Sequence, residues 1–295
     1  MRLVGRVLLA IAAGAVALAG CQQSPPEGFV EAPSPALWEI RADGAVRGWL
    51  FGTIHSLPDG VEWRSKTLSR ALARSDILVV EVADLDDPQG RADSFAALAI
   101  SGEQPLLKDR IAQSERPDLL ALMERGGFQQ GHFHRTETWA AALTLAQIGR
   151  EGDSANGVDR TLAEEYAPGR LIELEGAARQ LAIFDRLPEA EQRNLLSGVV
   201  REAQRSQQQP GRLARIWFAG DMQAIRQEQE RGILADPEIR GALLTSRNRE
   251  WTARIVPLLE NDDKPFVAVG AAHLPGRDGL AAMLRQRGYT VSRIQ

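Results

Sequence analysis

Hydrophobic positions along the chain fall into short unbroken runs and into longer stretches with helical spacing. Residues 37–41 and 48–54 form two apolar arms around Ala42-Asp43-Gly44-Ala45. Asp-Gly between such arms predicts a β-hairpin. The second arm is continuously apolar, as expected of a strand covered on both faces. Leu68, Ala71 and Leu72 recur at helical spacing and predict a helix over 62–74. Ile77-Leu78-Val79-Val80-Glu81-Val82 predicts a buried strand with one acid inside it. From 95 to 149 the pattern is helical. Pro117 opens one helix and Gly126-Gly127 closes it, and a second covers 136–148. A helix over 157–166 stops at Pro168-Gly169, and residues 170–175 form a short strand. Helices dominate 177–260, followed by a buried strand at 264–270, a helix at 279–288 and a last strand at 289–294. A helix after nearly every strand predicts an α/β fold: a central mixed, largely parallel sheet surrounded by helices, with right-handed crossovers and helical insertions.

The N-terminus has a different character. Arg2 and Arg6 precede an apolar run over 7–18 that is too short to span a bilayer comfortably, which predicts a secretory leader over residues 1–20. The leader ends in Leu18-Ala19-Gly20-Cys21, which resembles the bacterial lipoprotein box, with Cys21 the lipidated residue. By the same resemblance, Gln22 in place of aspartate favours the periplasmic face of the outer membrane. Residues 21–36 are polar and proline-rich and predict a flexible tether, leaving 37–295 as the folded domain.

Composition narrows the partners. The formal net charge is −4, a quarter of the 295 residues are charged, and no basic stripe appears, so nucleic acid is excluded as a partner. Cys21 is the only cysteine, so no intramolecular disulfide can form.

The chain has four histidines, and two occupy matching segments: Gly52-Thr53-Ile54-His55 and Gly270-Ala271-Ala272-His273, each after an apolar run and each followed by proline within three residues. In open α/β sheets, sites form beyond the carboxyl ends of strands. His55, Glu81, the Glu173/Glu175 pair and His273 all stand at such ends. Two imidazoles with carboxylates form a common shell for a borderline divalent ion, and equally a set of acid–base partners. Glu173 and Glu175, two apart, share one face of a strand and cannot be separated by spacing. Arg247 is placed to reach a carboxylate at the rim or a substrate carboxylate. His132 and His134 read as solvated loop residues, and Trp217 and Phe218 as a packed helix end. There is no Gly-x-Ser-x-Gly elbow, His-Glu-x-x-His helix or P-loop.

Together the segments Leu50-Phe51-Gly52-Thr53-Ile54-His55, Val79-Val80-Glu81-Val82, Gly157-Val158-Asp159, Leu174-Glu175 with Gln180-Leu181, Arg247-Asn248 and Phe266 through Gly276 resemble the TraB/GumN family, which includes the Tiki proteins. The resemblance implies a fold like that of the erythromycin esterase and ChaN-like group. It implies a metal-dependent peptidase with His55, His273 and Glu81 at a manganese, cobalt or zinc ion, and with Glu175, Arg247 and Asn248 as further site residues. The expected substrate is a peptide or small molecule, and the expected membrane contact is the lipid anchor. Two other readings stand beside it: a metal-independent esterase-like hydrolase in which a histidine held by an acid activates water, and a non-catalytic lipoprotein that binds a ligand such as haem.

Overall fold

Asp43 and Gly44 both take positive φ, 51° and 76°, and so form the tight turn that joins β1 (Leu37–Ala42) to β2 (Ala45–Thr53). The computed structural model describes residues 26–29, 31–83 and 88–295. The leader at 1–20 and Cys21 lie outside the described residues. The other strands are β3 (Ile77–Val80), β4 (Leu171–Glu173), β5 (Pro265–Gly270) and β6 (Thr290–Arg293). In chain order the helices are α1 (Lys66–Ala73), α2 (Pro88–Ala99), α3 (Arg116–Arg125), α4 (Thr138–Gly149), α5 (Val158–Glu164), α6 (Ala177–Asp185), α7 (Glu189–Gln208), α8 (Arg212–Phe218), α9 (Met222–Arg231), α10 (Pro237–Arg240), α11 (Ser246–Glu260) and α12 (Leu280–Gln286).

Among the described residues the strands form one six-stranded sheet in the order β4-β3-β5-β2-β1-β6. Pairing is parallel from β4 through β2, and antiparallel on both sides of β1. Five strands therefore run one way and β1 alone is reversed. The expected α/β class holds, with its antiparallel part confined to the hairpin edge. Successive residues serve opposite faces, which explains the unbroken apolar runs. Trp49, Phe51, Leu78, Val80, Phe266 and Ala268 pack on one side. Leu50, Val79, Val267 and Val269 pack on the other, against Trp251, Ile255 and Leu280. A third cluster, around Trp139 and Leu145 of α4 and Leu196 and Val200 of α7, holds the helical insertion together. No helix among the described residues is long and apolar enough to cross a membrane.

Several boundaries differ from expectation. α1 starts at Lys66, because Ser65 accepts a hydrogen bond from Leu68 N and caps it there. β3 and β4 end at Val80 and Glu173, so Glu81 and Glu175 sit just past the strands rather than inside them. Part of the segment expected to be a tether is packed. Phe29, its only aromatic residue, is buried edge-on against Phe218 with ring centroids 5.1 Å apart.

The turn carrying His273 lies directly over β2, and Gly52 makes this possible. A Cβ at Gly52 would stand 2.9 Å from Leu274 Cδ1 and 3.0 Å from Ala271 Cβ. Gly52→Ala is therefore expected to cost about 1–3 kcal/mol in urea unfolding by overpacking. Gly102→Ala, with nothing within 4 Å of the added carbon, should remain close to wild type.

Candidate active site

Four neighbouring strands, β4, β3, β5 and β2, deliver Glu175, Glu81, His273 and His55 to one rim of the sheet. Glu81 is the centre of this group. Its Oε1 accepts the Gly270 N–H at 2.7 Å, and its Oε2 accepts Arg247 Nη2 at 2.8 Å. A Cβ on Gly270 would lie 3.3 Å from Glu81 Oε1 and 3.9 Å from both His55 Nε2 and His273 Cδ2. The two imidazoles and the acid thus surround one point that only a glycine leaves open.

Arg247 is the cation of the cluster. It donates to Glu81, to both oxygens of Glu175 (Nε to Oε2 at 3.0 Å), and to the Leu243 carbonyl. The side chains are 10% exposed for Arg247, 11% for Glu81 and 3% for Glu175, so this is a buried triad. A π-helical turn, Gly241–Thr245, leads into α11 directly before Arg247, a distortion that recurs at functional sites. Trp251, one turn on, is a platform for both Arg247 and His273: the guanidinium carbon stands 4.5 Å and the His273 ring 4.4 Å from its ring centroid.

The two histidines share an orientation and differ in surroundings. Asn248 Nδ2 donates to the carbonyls of His273 and Asp278, so its Oδ1 is the acceptor for His273 Nδ1–H at 2.7 Å. This leaves His273 Nε2 as a lone pair, facing Arg247 Nη1 at 3.2 Å. His55 Nδ1 is held 3.0 Å from Asp159 Oδ1, and its Nε2 points to the space in front of Gly270 that Glu81 Oε1 also borders. However, the His55 side chain is 64% exposed and that of His273 8%. The cavity here, about 420 Å³, is lined by His55, Glu81, Asp159, Gln180, Arg150 and Arg160. His273, Arg247, Glu175 and Asn248 form the layer behind it.

These settings drive the protonation states apart. Asp159 beside it raises His55 to about 9. Burial, with Arg247 adding to it, lowers His273 to about 4. Burial opposes ionisation of Glu81, but the imidazoles, Arg247 and the Gly270 N–H outweigh it and hold the acid at about 2. With His273 neutral, the cations left beside Glu81 at pH 7 are Arg247 and His55. Burial pushes Glu175 up, against the pull of Arg247. The unfolded chain protonates His273 near 6.5 and the fold only near 4, so stability should fall as pH drops from 6.5 towards 4. Glu81 adds a further loss as pH falls from 4.5 towards 2. Urea unfolding across this range should show the decline, and His273→Gln should flatten its upper part.

The sequence model of the TraB/PrgY/gumN family matches residues 36–293. The chain belongs to this family. No curated protein and no solved structure matches it. In this family member the residues singled out from the sequence, His55, Glu81, Glu175, Arg247, Asn248 and His273, all converge at the rim. Glu173 separates from Glu175: its Oε1 caps the Ala83 N–H at 2.8 Å. His132 and His134 are elsewhere, in a turn where His134 Nδ1 contacts the Gly131 carbonyl.

The expected metal set of His55, His273 and Glu81 does not fit as arranged. Among the described residues, no three His, Cys, Asp or Glu side chains gather closely enough to hold an ion. The physical reason is Arg247, whose guanidinium already neutralises Glu81 and meets His273 Nε2. Sequence reasoning gave no role to Asp159, which holds His55, or to Asp278. Asp278 is gripped by Arg240 at 2.9 and 3.0 Å, and its carbonyl fixes Asn248.

Proposed function

We propose that the protein is a hydrolase that cleaves a peptide or ester bond in the His55 cavity, using its own side chains to move protons. One observation carries this reading. His55 and Glu81 face the same point in the cavity, one held protonated and the other held ionised at neutral pH. Neighbouring groups pushed to opposite states are the usual sign of an acid–base pair. Each Glu81 oxygen retains a lone pair beyond its present partners, so the carboxylate can hold a water and take its proton as the water oxygen bonds to the substrate carbonyl carbon. His55 Nε2–H then gives its proton to the leaving nitrogen or oxygen as that bond breaks. The proton on Glu81 returns to His55 through water in the cavity they share, which closes the cycle. Arg247 keeps Glu81 ionised and fixed, and Asn248 and His273 keep Arg247 in place. The leader and Cys21 support an envelope address through a lipid anchor. Labelling with a palmitate analogue in cells, lost in Cys21→Ala, would bear that out.

The test is a panel of quenched peptides and nitrophenyl esters, assayed with and without EDTA. Turnover that survives chelation supports the proposal. Turnover abolished by EDTA and restored by Mn²⁺, Co²⁺ or Zn²⁺ would replace it with a metal-assisted centre, which requires Arg247 to release Glu81. The Nδ1 partners of both histidines favour that version, since they are the outer-shell contacts such ligands use. No turnover of either bond type would remove the hydrolase reading.

A further inference from the structure

α11 and α12 pack against each other, and a cavity of about 350 Å³ opens between them and the turn after β5. Arg249 lines it from α11, Arg277 from the turn, and Gln286 and Arg287 from the end of α12. It shares no lining residue with the His55 cavity.

All three arginines are exposed, and none makes an ion pair or a side-chain hydrogen bond among the described residues. The one acid among the lining residues, Asp278, is already engaged. Its two oxygens accept from Arg240 at 2.9 and 3.0 Å, and Oδ2 also accepts from Thr245 Oγ1 at 3.2 Å. Arg240 therefore neutralises Asp278, and three positive charges around one small cavity remain uncompensated. This local excess runs against the net charge of the chain, −4. It is also confined. A neighbouring cavity shares Arg277 and Asp278, but its other arginines are paired, Arg226 with Glu230 and Arg240 with Asp278.

The charge and the donors select the ligand. A carboxylate brings one negative charge and two oxygens, and would leave two of the three guanidinium groups unmatched. A phosphate monoester brings a charge of about −1.5 to −2 at pH 7 and three terminal oxygens, one for each guanidinium fork. A phosphodiester, with one charge and two free oxygens, fits no better than a carboxylate. We infer that this cavity binds the phosphoryl group of a phosphate monoester through Arg249, Arg277 and Arg287, with the Gln286 amide as a further donor. The proposed hydrolysis uses none of these residues, so this binding site goes beyond that reading and stands without it.

The experiment is calorimetric titration of glycerol 1-phosphate into the wild-type protein at fixed ionic strength. Saturable one-to-one binding is expected. Arg249→Gln, Arg277→Gln and Arg287→Gln should each weaken it roughly tenfold, the value of a charge-assisted hydrogen bond. Arg226→Gln, which removes an equally exposed but paired charge, should leave it unchanged. These four side chains lie on the surface, so urea unfolding of each variant should stay close to wild type. Glycerate, the carboxylate counterpart, should bind at least tenfold more weakly than glycerol 1-phosphate. Vesicles of phosphatidylcholine doped with phosphatidic acid distinguish the two sources of the group. Vesicle binding that glycerol 1-phosphate displaces, and that phosphatidylglycerol vesicles do not reproduce, would place the monoester on a lipid. Binding of glycerol 1-phosphate without vesicle binding would place it on a free ligand. The inference would be overturned by equal affinity for glycerate, by an Arg226→Gln loss as large as that of Arg287→Gln, or by no saturable binding of either phosphate probe.

Discussion

Arg247→Met is expected to cost about 3–5 kcal/mol of folding stability, the range for removing one partner from a buried ion pair. Glu175 and Glu81 would then face each other almost out of water, with side chains 3% and 11% exposed. Arg247 donates to three of their four oxygens, and methionine fills the volume without replacing any of these bonds. Arg247→Lys should recover only part of the loss, because an ammonium cannot reproduce the planar fork that spans both carboxylates. The diagnostic is the double variant Arg247→Met with Glu175→Gln. If the penalty comes from an uncompensated charge, neutralising Glu175 should return a substantial share of it in urea unfolding. If the double variant is no more stable than Arg247→Met alone, the loss comes from packing on Trp251 instead.

His55→Gln is expected to reduce turnover by about 10²- to 10⁴-fold, the usual contribution of a positioned general acid, and to lose a little stability at neutral pH, because the fold raises His55 above its unfolded value of 6.5. The pairing with Asp159 is solvent-exposed, and such contacts contribute little to folding. Asp159→Asn separates holding from charge. It keeps a hydrogen-bond acceptor for His55 Nδ1 but removes the charge that raises His55 to about 9. Because His55 must be protonated to act as an acid, wild-type kcat/KM should fall as pH rises through about 9. In Asp159→Asn the same fall should come at lower pH, nearer 6.5, the ordinary histidine value. A decline at the same pH in both proteins would show that another group governs it.

The sheet was legible because its strands are short apolar runs with no competing helical period, and the turn residues Asp43-Gly44 could do only one thing. That the histidines stand at strand ends was legible for the same reason. What was not legible depends on where each strand stops. Glu173 and Glu175 share a face only while the chain stays extended. β4 ends at Glu173 and Gly176 turns with φ 83°, so one acid caps a loop while the other meets Arg247. The matching Gly-x-x-His segments suggested two equivalent imidazoles. They differ because α11 lays Asn248 and Trp251 over His273, whereas His55 faces the cavity with only Asp159 behind it. Nothing local to either segment records what a distant helix places on top of it. Asp159 was visible only as part of a family-like segment, without a role, because an acid in the first turn of a helix is ordinary on dipole grounds.

The most direct measurement is an NMR titration of the histidine rings, with only four in the chain and assignments taken from His55→Gln and His273→Gln. His55 should titrate near 9 and His273 near 4, the latter as the Nδ1–H tautomer while neutral. Two rings titrating together near 6.5, or a charged His273 beside a neutral His55 at pH 7, would contradict the arrangement from which the acid–base roles were derived.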